Sequence, residues 1–298
     1  MADPEIAALR AKLAQTVHAE EIAQGRIDFD AISQEYAIAS DVALETANAG
    51  GVPAEWTITP DAARDCAVLF LHGGGYVFGS LLSHRHMVAE IGRAARARTL
   101  ALHYRLAPEV PFPAAVDDAV TGYRFLLAQG LQPDKIAIAG DSAGGGLVVA
   151  AMVAIREAGL RQPACGWAIS PWVDMEAIGE SMVDRAATDP TVQKDLVLEL
   201  ARHYLNGADP RSPLAAPIYA DLRGLAPLLI QVGSVETLLD DALRLARVAG
   251  AADVPVDLQI WPEMIHVWHL FHPELKAGRR AIEVGGEFMR GMMSGRSR

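Results

Sequence analysis

Lys135-Ile136-Ala137-Ile138-Ala139-Gly140-Asp141-Ser142-Ala143-Gly144-Gly145-Gly146 is the stretch from which the rest of the chain can be placed. Its first five residues form a short, partly β-branched apolar run of the length expected for a buried parallel strand. Gly140 to Gly144 then reads G-x-S-x-G, a pattern in which a sharp strand-to-helix turn lifts a serine hydroxyl above the end of a sheet. Glycines flank the serine because side chains there would block the turn and the approach of neighbouring backbone. Ala143 to Glu157 contains no proline and carries Leu147, Val148, Ala150, Met152, Val153 and Ile155, which suits a helix packed on a sheet. Strand, turn and helix thus follow in the order the motif requires, which sets it apart from a glycine-rich turn with an incidental serine.

Outward from this stretch, strand and helix patterns alternate. Strands are expected over 53–59, 66–71, 99–103, 166–170, 227–232 and 256–261, and helices over 113–128, 237–249 and 279–289. This order predicts an α/β fold with a mostly parallel central sheet flanked by helices. Helical periodicity over 4–17 and 27–36 precedes the first strand, so these segments should lie outside the sheet. Residues 171–226 are far more than the ~10–12 needed for a crossover between parallel strands. Within them, Asp189-Pro190 followed by Leu196, Val197, Leu200, Ala201 and Tyr204 predicts a helix with an aspartate N-cap and proline at its first position. The chain is therefore expected to be one domain over 1–298, with a helical cap built from about 1–45 and the 171–226 insertion over the carboxyl ends of the strands.

At 298 residues and 51% hydrophobic composition, the chain can bury one large core. Its net charge is −11 and its basic residues are scattered, which argues against a nucleic-acid or anionic-membrane partner. The acidic start and the lack of a signal-like apolar stretch make cytoplasmic residence the expectation. No run approaches the ~18 apolar residues of a membrane span. Cys66 falls in one expected strand and Cys165 directly precedes another, and both read as core residues rather than a disulfide.

A serine hydroxyl is a weak nucleophile unless a base takes its proton as it attacks. Of nine histidines, His266 stands in the loop after the last expected strand, at the same edge of the sheet as Ser142. His269 and His272 read as packing or surface residues, and with His266 they lack the carboxylate or cysteine that would complete a metal site. The acid that orients the base should lie between Ser142 and His266 in the chain. Glu236, after the 227–232 strand, is placed for it. Asp240 is the alternative, in which case Glu236 would only stabilise a helix N-terminus. Successive glycines in His72-Gly73-Gly74-Gly75 follow another strand and can turn backbone N–H groups toward one point, joined by the N–H of Ala143. A phosphate-binding loop would need a lysine and serine or threonine that are missing here. Tyr76, Phe78, Tyr204 and Trp268 are candidates to line a substrate pocket. No metal or cofactor is expected.

Together, His72 to Gly75, Tyr104-Arg105-Leu106-Ala107-Pro108-Glu109 with Pro111-Phe112-Pro113-Ala114-Ala115, Gly140 to Gly145, and Asp209-Pro210 before Ser212-Pro213 resemble the hormone-sensitive-lipase-like esterases of the α/β-hydrolase superfamily, also called bacterial family IV. The resemblance runs over about 52–272. It implies hydrolysis of small and medium carboxylic esters, lactones or acetylated alcohols through an acyl-enzyme. It also implies Ser142 as nucleophile, His266 as base, an oxyanion hole from Gly74, Gly75 and Ala143, and a homodimer. One departure is Glu236-Thr237-Leu238, where many members carry Asp-Pro-Leu. Plant gibberellin receptors resemble the same family yet bind a small molecule without hydrolysing it. Loss of the base marks that reading, and His266 is present here.

Overall fold

Alternation within the central strands sends side chains to two opposite cores. The computed structural model describes residues 4–15 and 21–295. Its strands are β1 (Ala43–Ala49), β2 (Val52–Ile58), β3 (Ala63–Leu71), β4 (Ala97–Leu102), β5 (Ile136–Asp141), β6 (Cys165–Ile169), β7 (Leu228–Gly233) and β8 (Val256–Trp261). They form one sheet in the order β1-β2-β4-β3-β5-β6-β7-β8. β2 runs antiparallel to both β1 and β4, and the other neighbours are parallel. The helices are α1 (Pro4–Leu13), α2 (Ile22–Gln34), α3 (Leu81–Ala95), α4 (Ala114–Ala128), α5 (Ala143–Glu157), α6 (Ser181–Asp184), α7 (Lys194–Leu205), α8 (Leu239–Ala251) and α9 (Lys276–Met293). Residues 16–17 of the first expected helix lie outside the described residues.

Leu69 and Leu71 of β3, Ile136 and Ile138 of β5 and Leu228 and Ile230 of β7 join α4, α5 and α8 in one core. The intervening Val68, Phe70, Ala137, Ala139 and Leu229 meet Met87 and Ile91 of α3 and Ile282 and Met289 of α9 on the other face. This two-sided burial explains why the parallel strands read as near-continuous apolar runs. Among the described residues, no helix is long and apolar enough to cross a membrane.

β1 and α3 carry weaker sequence signals and lie outside the expected elements, as does the single turn α6. β1, Ala-Leu-Glu-Thr-Ala-Asn-Ala, is an edge strand with mostly exposed residues and few β-branched ones. It is set by the Gly50-Gly51 turn, whose φ values of 68° and 103° suit the two-residue hairpin that pairs Ala49 with Val52. α3 is rich in histidine and arginine, which blurs its apolar stripe. A capping box fixes its start: Ser80 Oγ accepts from the Leu82 and Ser83 N–H groups, and the Ser80 N–H donates to Ser83 Oγ.

The last helix sits close to the sheet because it lacks side chains where it crosses β6. A Cβ at Gly285 would collide with the Trp167 ring, which is fully buried and tied through its N–H to Gln231 Oε1 at 3.2 Å. On an open helix face, Gly→Ala adds up to about 1 kcal/mol of stability. Here overpacking outweighs that gain, so Gly285→Ala should lower stability by about 1–3 kcal/mol, read as a lower urea midpoint at unchanged m value.

Candidate active site

The carboxyl ends of β3, β5, β6, β7 and β8 deliver the polar groups of the site. Ser142 directly follows β5 with φ 54° and ψ −120°, a conformation that costs a serine about 1–3 kcal/mol. The surroundings enforce it. The Ser142 N–H donates to Ile169 O at 2.8 Å, and its carbonyl accepts from Gly146 at 3.1 Å and Trp172 at 3.0 Å. A Cβ at Gly144 would strike the Leu71 and His72 carbonyls, so the glycine lets α5 start this close to β3.

His266 lies in the loop after β8. Its Nε2 is 2.9 Å from Ser142 Oγ and its Nδ1 is 2.9 Å from Glu236 Oε2. Glu236 is fully buried in the loop after β7. Its other oxygen accepts from the Gly233 N–H at 2.6 Å and the Ser170 hydroxyl at 2.7 Å, so both oxygens are held. Asp240 does not approach His266: it accepts from the Ser181 N–H at 2.9 Å at the start of α6. Glu236 thus reaches the imidazole from the loop after β7.

The electrostatics follow from burial and pairing. Burial works against a charged His266, but the hydrogen bond and charge of Glu236, with the charges of Asp189 and Asp141, outweigh it and raise its pKa above the ordinary value. Burial pushes the Glu236 carboxyl upward, while bonds from His266, Gly233 and Ser170 pull the other way.

The glycine loop after β3 is oriented peptide by peptide. In a planar trans peptide, the C=O and the following N–H point in opposite directions. Gly73 O accepts from His72 Nδ1 at 2.8 Å, and Gly74 O accepts from Val77 at 3.1 Å and Phe78 at 2.7 Å. The N–H groups of Gly74 and Gly75 must face away from these bonds. Both residues line the same cavity as Ser142 and His266. With φ of 110° and 63°, both occupy backbone that favours glycine. Ala143 is the first residue of α5, so its N–H has no acceptor within the helix.

The cavity measures about 320 Å³. Phe29 of α2, Phe78, Val192, Phe271, and Leu196 and Leu200 of α7 make its wall mostly apolar. Of the four side chains expected to line it, only Phe78 does. Tyr76 and Tyr204 stack on each other with centroids 3.7 Å apart and are spent on the core that anchors α7. Trp268 is buried with Ile6, Leu9 and Phe271, where it packs α1 against the loop after β8.

Two site neighbours went unread in the sequence. Ser170, directly after β6, donates to Glu236 and accepts from the Val267 N–H at 3.2 Å, joining the acid loop to the histidine loop. Its position at a strand's carboxyl end was the available signal. Asp189 is not the N-cap of α7, which starts at Lys194. Its Oδ1 accepts from Thr191 and Val192 in a local turn, and its Oδ2 accepts from the Thr237 N–H at 2.9 Å, next to Glu236. His269 points elsewhere: its Nε2 donates to Gln231 at 2.8 Å, and burial holds its pKa down at about 3. His272 stacks on His86 instead of joining His266.

Residues 68–270 match a family model described as the alpha/beta hydrolase fold. The chain is 46% identical to an acetyl-hydrolase of Streptomyces hygroscopicus, covering 97% of each protein. It is 31% identical to an esterase of Acinetobacter venetianus, covering 78% of this chain and 77% of that one. Among solved structures, an esterase from the bacterial hormone-sensitive lipase family superposes with a TM-score of 0.96 at 48% identity, covering 98% of this chain and 99% of the other. The strand order, the serine turn and these relatives agree: the chain belongs to the α/β-hydrolase fold family, among the bacterial hormone-sensitive-lipase-like esterases.

Proposed function

We propose that this esterase cleaves short- to medium-chain carboxylic esters through an acyl-enzyme on Ser142. The observation that carries the reading is His266 bridging Ser142 Oγ and Glu236 Oε2 at 2.9 Å on each side. As Oγ bonds to the ester carbonyl carbon, its proton passes to His266 Nε2 and the carbonyl π pair moves onto oxygen. That oxyanion meets the N–H groups of Gly74, Gly75 and Ala143, each worth about 3–4 kcal/mol in such a site. Glu236 keeps the proton on Nδ1 and stabilises the imidazolium. The carbonyl re-forms, the bond to the alcohol oxygen breaks, and His266 gives that oxygen its proton. Water then repeats the sequence: His266 takes its proton, the carboxylic acid leaves, and Ser142 recovers its hydrogen.

The mostly apolar cavity of about 320 Å³ is of the size that suits a short or medium acyl group, or an acetylated alcohol, in contact with the serine. Its walls come from α1 and α2 on one side and the 190–200 segment on the other, which supports a cap made of the amino-terminal helices and the 171–226 insertion. Cytoplasmic residence and a homodimer complete the reading, the latter checked by sedimentation velocity.

A fluorophosphonate should label one serine per chain, and peptide mapping should place it at Ser142. Nitrophenyl esters of graded acyl length should give a burst of nitrophenol equal to the enzyme concentration, with an optimum at short or medium chains. Binding of these esters without a burst would support the non-catalytic receptor reading instead.

A further inference from the structure

Asp141 is a fully buried acid beside the nucleophile that the ester-cleavage scheme above leaves without a task. Its Oδ1 accepts from the Gly73 N–H at 3.1 Å, and its Oδ2 lies 3.2 Å from His84 Nε2. His84 is itself held, with Nδ1 2.8 Å from Ser83 Oγ inside the capping box of α3. On the far side of the same peptide, the His72 carbonyl accepts from the Tyr104 hydroxyl at 2.7 Å. The peptide between His72 and Gly73 is therefore gripped at both ends. The next peptide is fixed by His72 Nδ1 on Gly73 O, which leaves the Gly74 N–H as the first group in this run turned to the cavity. Gly73 has no room to drift, because a Cβ there would already overlap the Asp141 carboxylate.

We propose that Asp141 is a positioning residue for the oxyanion loop: held by His84, its carboxylate fixes the Gly73 amide and through it the direction of the Gly74 N–H. Asp141 touches neither the ester nor the reacting oxygen in this scheme. The geometry also ties the first turn of α3, the nucleophile turn and the glycine loop into one rigid unit, the kind of support an oxyanion site needs to keep its donors aimed. Burial opposes a charged Asp141, yet the charge and hydrogen bond of His84, with the charges of His72 and His266, keep its carboxyl below the ordinary range, so it stands ready as an acceptor.

This inference rests on the acyl-enzyme reading of Ser142, and its test separates the two. In Asp141→Asn, an amide oxygen can still accept from Gly73 while the amide nitrogen donates to His84. In Asp141→Ala, both bonds are gone. Asp141→Ala should lower kcat by about 10²–10³-fold, the usual cost of losing one oxyanion donor, with KM within about threefold. Asp141→Asn should stay within about tenfold of the parent kcat. The Ki of a trifluoromethyl ketone, whose hemiketal oxygen occupies the oxyanion position, should rise by the same factor as kcat/KM falls. Should Asp141→Ala not accumulate as folded protein, Asp141→Ser, too short to reach the Gly73 amide, carries the same comparison. Equal damage in the asparagine and alanine variants, or a loss confined to KM, overturns the proposal. Failure of the ketone to form an adduct with the parent enzyme would instead overturn the acyl-enzyme reading itself.

Discussion

Ser142→Ala and His266→Ala are each expected to lower kcat by about 10⁶-fold with little change in KM, and the double variant should be no slower than either single one. In the proposed mechanism the two residues act as a unit. Without the imidazole, the Ser142 hydroxyl keeps its proton and attacks poorly. Without the hydroxyl, the imidazole 2.9 Å away has no proton to take. A residual rate about 10³–10⁴-fold above uncatalysed hydrolysis should survive, supplied by the glycine loop and by binding in the cavity. Steady-state kinetics on the three variants, made free of parent enzyme, checks this. Additive losses, or a Ser142→Ala enzyme above about one per cent of the parent rate, would defeat the assignment of the nucleophile. Both variants should keep the parent fold. Ser142 contributes its strained backbone rather than its side chain to the turn, and Glu236 remains held by Gly233 and Ser170 when His266 is gone.

Residues that the backbone must place were legible in the chain. The strand ahead of Ser142, the flanking glycines and the loops after β3, β7 and β8 all announce themselves through runs of apolar residues that stop at the carboxyl edge of the sheet. These fix where Ser142, Glu236 and His266 must fall, since in a parallel sheet every such loop opens on the same edge. What the chain did not disclose depends on side-chain direction. Tyr76, Tyr204 and Trp268 stand near the right loops but turn into cores, because a large ring gains more from full burial than from a cavity wall. Asp189 before Pro190 has the pattern of a helix start, yet its second oxygen is drawn to Thr237, some fifty positions away in sequence. Such a bond leaves no periodic trace. β1 lacked an apolar face because consecutive residues on both of its faces meet solvent, and only the paired glycines of its turn marked it.

Glu236→Gln should change both the height and the position of the pH profile. In the proposed mechanism, His266 must be neutral to accept the Ser142 proton, so kcat/KM should rise with pH through the His266 pKa. Because Glu236 holds that pKa above the ordinary value of about 6.5, the acid limb should bend above that pH. Replacing the carboxylate by an amide removes the charge that favours imidazolium, while burial, which disfavours it, remains. The inflection must therefore move to lower pH. The plateau should fall at the same time, by about 10³–10⁴-fold, since the amide neither stabilises the imidazolium formed at attack nor keeps the proton on Nδ1. Glu236→Asp retains the charge but withdraws it by one methylene from a 2.9 Å contact, so it should lose rate while keeping an inflection closer to that of the parent. The measurement is kcat/KM from about pH 5 to 9 for the three proteins, using an ester whose own hydrolysis is subtracted at each pH. A Glu236→Gln profile that is lower but bends at the parent pH would mean that another group sets the His266 pKa. The remaining acids that act on it are Asp189 and Asp141, and their asparagine variants would then be the ones to move the limb.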